Sequence, residues 1–168
     1  GVLYVNKMAV SWKDVSGEVI IKPGTTAIAG SAFYSCDDLT SIVIPASVTS
    51  IGYEAFGECD DLATVTIADG SQLTTIDDYA FYYCGSLQTI HVPESVTSIG
   101  KEAFCYCYQL ESINIPNGVT SIDDCAFYEC ENLKTVTIAD GSQLTSIGEY
   151  AFYDCEKLQS INIPNSVT

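Results

Sequence analysis

The chain has 168 residues and is 47% apolar, enough for one domain with a real core and too hydrophobic for a disordered segment. Twenty-two acidic residues stand against six lysines and no arginine, a net charge of −16. That balance argues against nucleic acid and anionic membrane as partners, because both are bound by cations that replace phosphate counterions. The missing arginine also removes the usual bidentate phosphate clamp.

No apolar run approaches the roughly 18 residues of a membrane span, so no membrane insertion is expected of this segment. Gly1–Val5 has neither a basic n-region nor an apolar h-region, so any signal peptide would lie outside these residues.

From residue 25 onward the sequence repeats. Ala-Phe-x-x-Cys-x-x-Leu recurs from Ala32, Ala55, Ala80, Ala103, Ala126 and Ala151. The Phe positions are 33, 56, 81, 104, 127 and 152, in steps of 23, 25, 23, 23 and 25 residues. A fixed period of this size predicts a solenoid in which each repeat stacks on its neighbours. Both longer steps carry Ile-Ala-Asp-Gly-Ser-Gln-Leu-Thr, at 67–74 and 138–145, where other repeats read Ile-Pro-x-x-Val-Thr. Asp69-Gly70 and Asp140-Gly141 are turn formers, so the two extra residues are expected to bulge outward at one corner. A longer period of 71 residues relates repeats one to three to repeats four to six. Such a segmental duplication extends a surface more readily than it builds an active site.

Each repeat divides into three pieces. Leu-x-x-Ile-x-Ile-Pro, as at Leu39–Pro45, alternates as a short strand with one buried side, and Pro45 ends the pairing for want of an N–H. Val-Thr-Ser-Ile, as at Val48–Ile51 and Val96–Ile99, predicts a second strand or extended corner. In the third piece Ala, Phe, Cys and Leu fall at i, i+1, i+4 and i+7, which predicts a helical face of one to two turns. A helix so short needs stacking to hold it. With strands ~4.8 Å apart, six repeats form a strip about 25–30 Å long.

Taken together, Ile-x-Ile-Pro-x-x-Val-Thr-Ser-Ile-Gly-x-x-Ala-Phe-x-x-Cys-x-x-Leu resembles the BspA-type leucine-rich repeat, and residues 25–168 match it throughout. The resemblance implies an α/β solenoid, a right-handed β/α superhelix with a parallel sheet on one side and short helices on the other. Residues 1–24 look like the capping segment that precedes such repeats, with Leu3-Tyr4-Val5 and Val19-Ile20-Ile21 as capping strands. Thr168 aligns with Thr49, Thr97 and Thr120, midway through a repeat, so the solenoid is expected to lack its C-terminal cap here. The resemblance further implies a bacterial protein, exported or displayed on the cell surface, that binds a host extracellular or matrix protein, a glycan or another cell-surface protein. It carries no catalytic residues and no cofactor.

Cys36, Cys59, Cys84, Cys107, Cys130 and Cys155 hold one repeat position, and a small apolar thiol facing the core explains them without a metal knuckle. Cys105 and Cys125 lie off that ladder. Cys125 takes the slot of Glu102 one repeat earlier, and slots 102 and 105 share a helix face, so the two cysteines are a candidate disulfide. His91 has no second histidine or nucleophile pattern beside it and is expected on the surface. The pairs Asp37-Asp38, Asp60-Asp61, Asp77-Asp78 and Asp123-Asp124 have no EF-hand spacing and read as solvated turns.

The informative pattern is where charge is missing. The outward positions of the first strand are Ser41, Val43, Thr64, Thr66, Thr89, His91, Ser112, Asn114, Thr135, Thr137, Ser160 and Asn162, and none is acidic. This face is the predicted partner-binding surface. An unvarying ladder of Thr49, Thr74, Thr97, Thr120 and Thr145 is expected to pack structurally. Tyr34, Tyr82, Tyr128 and Tyr153 follow the core Phe, with Tyr83 and Tyr106 beside them, and form a rival interface strip. The function expected is therefore a non-enzymatic binding or adhesion module, and the alternative is a spacer or stalk that presents another domain.

Overall fold

A computed structural model describes residues 1–12 and 15–168. Lys13 and Asp14, inside the predicted capping segment, lie outside the described residues. The elements in chain order are β1 (Val2–Val5), β2 (Met8–Trp12), β3 (Gly17–Ile20), β4 (Ala27–Ile28), β5 (Leu39–Ile44), β6 (Ser50–Ile51) and β7 (Thr64–Ile67). They continue with β8 (Thr75–Ile76), β9 (Thr89–Ile90), β10 (Ser98–Ile99), β11 (Ser112–Ile115), β12 (Ser121–Ile122), β13 (Thr135–Ile138) and β14 (Ser146–Ile147).

The coil has three sides. The Leu-x-x-Ile-x-Ile segments stack in parallel as β3-β5-β7-β9-β11-β13. The Ser/Thr-Ile corners form a second sheet, β1-β2-β4-β6-β8-β10-β12-β14, in which only β1–β2 is antiparallel. So both predicted extended pieces are strands, and each forms a sheet of its own. The capping segment contributes the first rung of each: β2 beside β4 and β3 beside β5.

The third side corrects the sequence reading. Among the described residues there is no helix, and Ala-Phe-x-x-Cys-x-x-Leu forms consecutive tight turns. In each repeat the second residue before Phe and the second after it have positive φ. In the second repeat these are Glu54 (52°) and Glu58 (57°), and in the third Tyr79 (58°) and Tyr83 (56°). A helix cannot pass through left-handed residues. Alternate N–H groups therefore divide their bonds. Phe33 N–H donates to Ala55 C=O of the next repeat at 2.8 Å, while Cys36 N–H closes a turn on Phe33 C=O at 3.1 Å. The inter-repeat bond recurs from Phe56 to Ala80, Phe81 to Ala103, Phe104 to Ala126 and Phe127 to Ala151, at 2.8–2.9 Å. This ladder supplies the order that holds the strained residues in place.

Inside, one face of each side converges on a single core. Phe33, Phe56, Phe81, Phe104 and Phe127 are fully buried and stack with Phe152 at centroid spacings of 5.1–5.4 Å. The repeat cysteines are buried beside them, as their position predicts. Five of these thiols are also donors. Cys59, Cys84, Cys107, Cys130 and Cys155 bond the Phe carbonyl one repeat back at 3.0–3.2 Å. The Thr ladder likewise has a hydrogen-bond basis beyond packing. Thr49, Thr74, Thr97 and Thr145 donate their hydroxyls to the preceding Thr carbonyl.

Candidate functional site

The outward faces of β5, β7, β9, β11 and β13 form one surface. Thr64, Thr66, Thr89, His91, Ser112, Thr135 and Thr137 are exposed on it, and Ser41, Val43 and Asn114 are half-buried. Ser160 and Asn162 are exposed beyond the last paired strand. Registers Ser41↔Thr64↔Thr89↔Ser112↔Thr135 set the hydroxyls in a row across the strands. The strip carries no charge from repeat one to repeat six. Glu18, on the capping rung next to Ser41, is the acid that borders it.

The strip is not flat. A concavity of about 460 Å³ opens at repeat three, edged by Thr64, Thr66, Thr89, His91, Ser112, Asn114 and Thr137. Its origin is a gap in the sheet. β7 and β9 pair only through Thr64↔Thr89 and Val65↔Ile90, and β9 meets β11 only through Ser112↔Thr89. His91 and Val92 then leave the ladder on both sides.

Proline explains the departure. Where this corner carries Ala, its N–H continues the ladder: Ala68 donates to Ile44 C=O and Ala139 to Ile115 C=O. Pro93 and Pro116 hold the same slot and have no N–H. The Val92 carbonyl, which a residue with an N–H at 116 would serve, is taken by Asn114 Nδ2 at 2.7 Å. Asn114 Oδ1 in turn accepts from Val92 N–H at 3.0 Å. Asn114 thus stands in for the missing rung, and His91 is left exposed in the gap. Of the twelve predicted positions the structure brings seven around one hollow. Ser41, Val43, Thr135, Ser160 and Asn162 flank it. The hollow itself was missed, and the signal that could have found it is Pro93 and Pro116 in successive repeats around an Asn.

The hollow offers hydroxyl donors and acceptors, one imidazole and the apolar tips of Val65, Ile67, Ile90 and Ile113. Its lining includes no carboxylate and no cysteine, so its polar groups are neutral hydroxyls, one amide and one imidazole. Among the described residues no group of three His, Cys, Asp or Glu could hold a metal ion.

The off-ladder cysteines are free thiols, as are the other six. Cys105 is buried and Cys125 half-buried. Burial pushes the Cys105 thiol strongly up, with the Glu102 and Cys125 charges adding to it. Burial and Glu102 raise Cys125 in the same direction. Both are therefore weak nucleophiles at neutral pH.

A second hollow, which sequence reasoning did not find, lies on the turn side. It measures about 330 Å³ and is lined by Asp37, Glu58, Asp60, Tyr82 and Tyr83.

Comparison with known proteins agrees with the geometry. The family profile for the BspA-type leucine-rich repeat region matches residues 26–143 and 127–168, in six copies. A leucine-rich cell surface protein from Faecalibacterium prausnitzii is 31% identical with a TM-score of 0.80, covering 91% of this chain and 49% of its own. A leucine-rich repeat protein from Bacteroides ovatus is 30% identical with a TM-score of 0.74, covering 96% of this chain and 49% of its own. The T. pallidum leucine-rich repeat protein is 28% identical with a TM-score of 0.65, covering 90% of this chain and 82% of its own. This chain thus spans about half the length of the first two. No curated protein matches it.

Proposed function

The chain belongs to the BspA-type leucine-rich repeat family, and from that premise we propose that it is a non-enzymatic binding module, displayed on a bacterial surface or secreted. Its partner would be a host extracellular or matrix protein, a glycan or another cell-surface protein. One observation carries the reading: an uncharged, hydroxyl-rich strip with a hollow at His91, held on a sheet whose register repeats rung after rung. Many weak polar contacts on a rigid face add up because the protein side loses little conformational freedom on binding. The description of the F. prausnitzii neighbour as a cell surface protein supports the location.

The test is a glycan and matrix-protein array probed with the wild-type chain and with a Thr66→Lys, His91→Lys, Thr137→Lys triple variant. These side chains are exposed, so the fold should survive. Loss of every hit in the variant supports the sheet face as the site. Retention of every hit removes it.

The 71-residue duplication favours a second reading, a spacer that holds another domain away from the cell. Deleting residues 50–120, one super-unit, separates the two. A spacer keeps its partner binding after the deletion, and a binding module loses affinity with the lost rungs.

A further inference from the structure

The turn side carries a continuous aromatic surface that the sheet-face reading does not use. Tyr53, Tyr79, Tyr82, Tyr83, Tyr106 and Tyr108 touch in sequence at centroid spacings of 5.5–6.1 Å. Part of this line packs over neighbouring repeats. Part remains in solvent, with Tyr53 47% and Tyr83 40% exposed. At Tyr82 and Tyr83 the line borders the second hollow, whose other walls are Asp37, Glu58 and Asp60. Among the described residues the two ion pairs are Lys101–Glu102 and Lys134–Glu111, and neither uses those three acids.

Aromatic faces and carboxylates outside the ion pairs, with Glu58 accepting the Ser35 hydroxyl at 3.1 Å, have a common complement around one hollow. A guanidinium lies flat on a phenol ring and offers its edge donors to a carboxylate. Burial, ahead of charge, raises the phenol hydroxyls along this line. Tyr82 is raised by burial first, with the Glu102 and Glu58 charges among the further causes, and Tyr106 by burial first, with Glu129 and Glu102 contributing.

We propose that the Tyr82–Tyr83 hollow with Asp37, Glu58 and Asp60 is a second binding surface, and that it takes an arginine-bearing cationic polypeptide segment. The occupant follows from charge complementarity: a chain of net charge −16 presents aromatic rings among acids on this side and a neutral strip on the other. An arginine side chain would seat between the Tyr83 ring and the carboxylates.

Fluorescence anisotropy of labelled nona-arginine, nona-lysine and a neutral Gly-Ser peptide against the full chain, at physiological salt, tests this. Tyr83→Asn keeps the net charge and suits the positive φ of 56° at that residue. Tyr83→Phe keeps the ring. A matched urea midpoint confirms that each variant folds. Saturable binding of nona-arginine, tighter than nona-lysine, is expected, with a loss of about three- to tenfold in Tyr83→Asn and little change in Tyr83→Phe. Asp37→Asn with Asp60→Asn should weaken it further, while His91→Lys on the sheet face leaves it within about twofold, a change smaller than one tenfold step of affinity. The proposal is overturned by absence of saturable arginine binding, by equal affinity for both cationic peptides, or by wild-type affinity in folded Tyr83→Asn. Because His91→Lys reads the other face, failure here leaves the sheet-face reading standing.

Discussion

The thiol of Cys84 donates to the carbonyl of Phe56, one repeat back, across 3.1 Å in a fully buried site. That carbonyl also accepts the Cys59 N–H at 3.3 Å. The cysteine therefore fills space and supplies a weak donor to an oxygen that water does not reach. Two substitutions separate these roles. Cys84→Ala removes both and should cost about 2–3 kcal/mol, a cavity plus an underserved carbonyl. Cys84→Ser keeps a donor and should cost about 1 kcal/mol less than Ala. Urea unfolding of the pair checks the order. If Ser is as destabilising as Ala or worse, the thiol contributes packing alone.

The left-handed residues permit a sharper test of the turn side. Glu129 has a φ of 53° and closes an inter-repeat bond to Tyr153 C=O at 2.8 Å. Glycine accepts this conformation and a β-branched residue resists it. Glu129→Gly should fall within about 1 kcal/mol of wild type, since relief of strain offsets the greater freedom of unfolded glycine. Glu129→Val should be less stable than Glu129→Gly by about 2 kcal/mol. Were this segment helical, valine would be the better of the two, so the order of the two midpoints decides.

Those residues also show what the sequence concealed. The period, the buried Phe, Cys and Leu, and both strand pieces were legible, because alternation and spacing report directly on which side chains face inward. Helix or turn was not legible in the third piece. Positions i, i+1, i+4 and i+7 face inward in a short helix and equally in two successive tight turns. The residues that choose between them, such as Ser35, Glu58 and Cys125, are not the glycines or asparagines that announce a left-handed backbone. The site divides in the same way. The row of outward hydroxyls followed from alternation. The hollow at His91 did not, since it depends on a rung missing at Pro116 and on how Asn114 fills it.

Close stacking of the turns fixes one glycine. A Cβ on Gly100 would lie 2.6 Å from the Asp78 nitrogen and 2.8 Å from the Asp77 carbonyl carbon, both backbone atoms one repeat earlier. Backbone cannot step aside as a side chain does. Gly100→Ala should therefore cost about 2 kcal/mol or more, through a local opening of the ladder. Gly118→Ala is a fair control, because its nearest neighbour is 3.3 Å away. Equal midpoints for the two variants would show that the stack has slack.

Alkaline pH should unfold the chain. Burial raises the Cys36 thiol to about 11 and Cys59 to about 12, from 9.0. Tyr79 rises from 10.0 to about 12, through burial and then the Glu102 carboxylate that accepts its hydroxyl. In each case the folded chain holds the proton more tightly than the unfolded chain. The stabilisation is fully present below pH 9 and is lost as pH climbs from 9 toward 12. Each such group steepens the fall by up to about 1.4 kcal/mol per pH unit. Urea midpoints from neutral to strongly alkaline pH, read with phenolate absorbance, give the profile. A midpoint flat through pH 11 would mean that these thiols and phenols are open to water.

Cys105 and Cys125 stand apart from the six ladder cysteines and carry the candidate disulfide. The Cys105 N–H closes a tight turn on Glu102 C=O at 3.2 Å, so slots 102 and 105 sit side by side. The same slots elsewhere bring Tyr79 to Tyr82 and Tyr150 to Tyr153, with rings 5.6 and 5.7 Å apart. Cys125 holds the Glu102 slot one rung further on, so the two cysteines lie diagonally across one rung of ~4.8 Å and one tight turn. Both thiols are free in the structure and both are raised, so the reactive thiolate is scarce at neutral pH. Oxidised glutathione should therefore link them slowly, and faster as pH rises. The unreduced protein, denatured after that treatment, should titrate six thiols and yield a linked Cys105–Cys125 peptide pair. Eight thiols at every pH would rule the disulfide out.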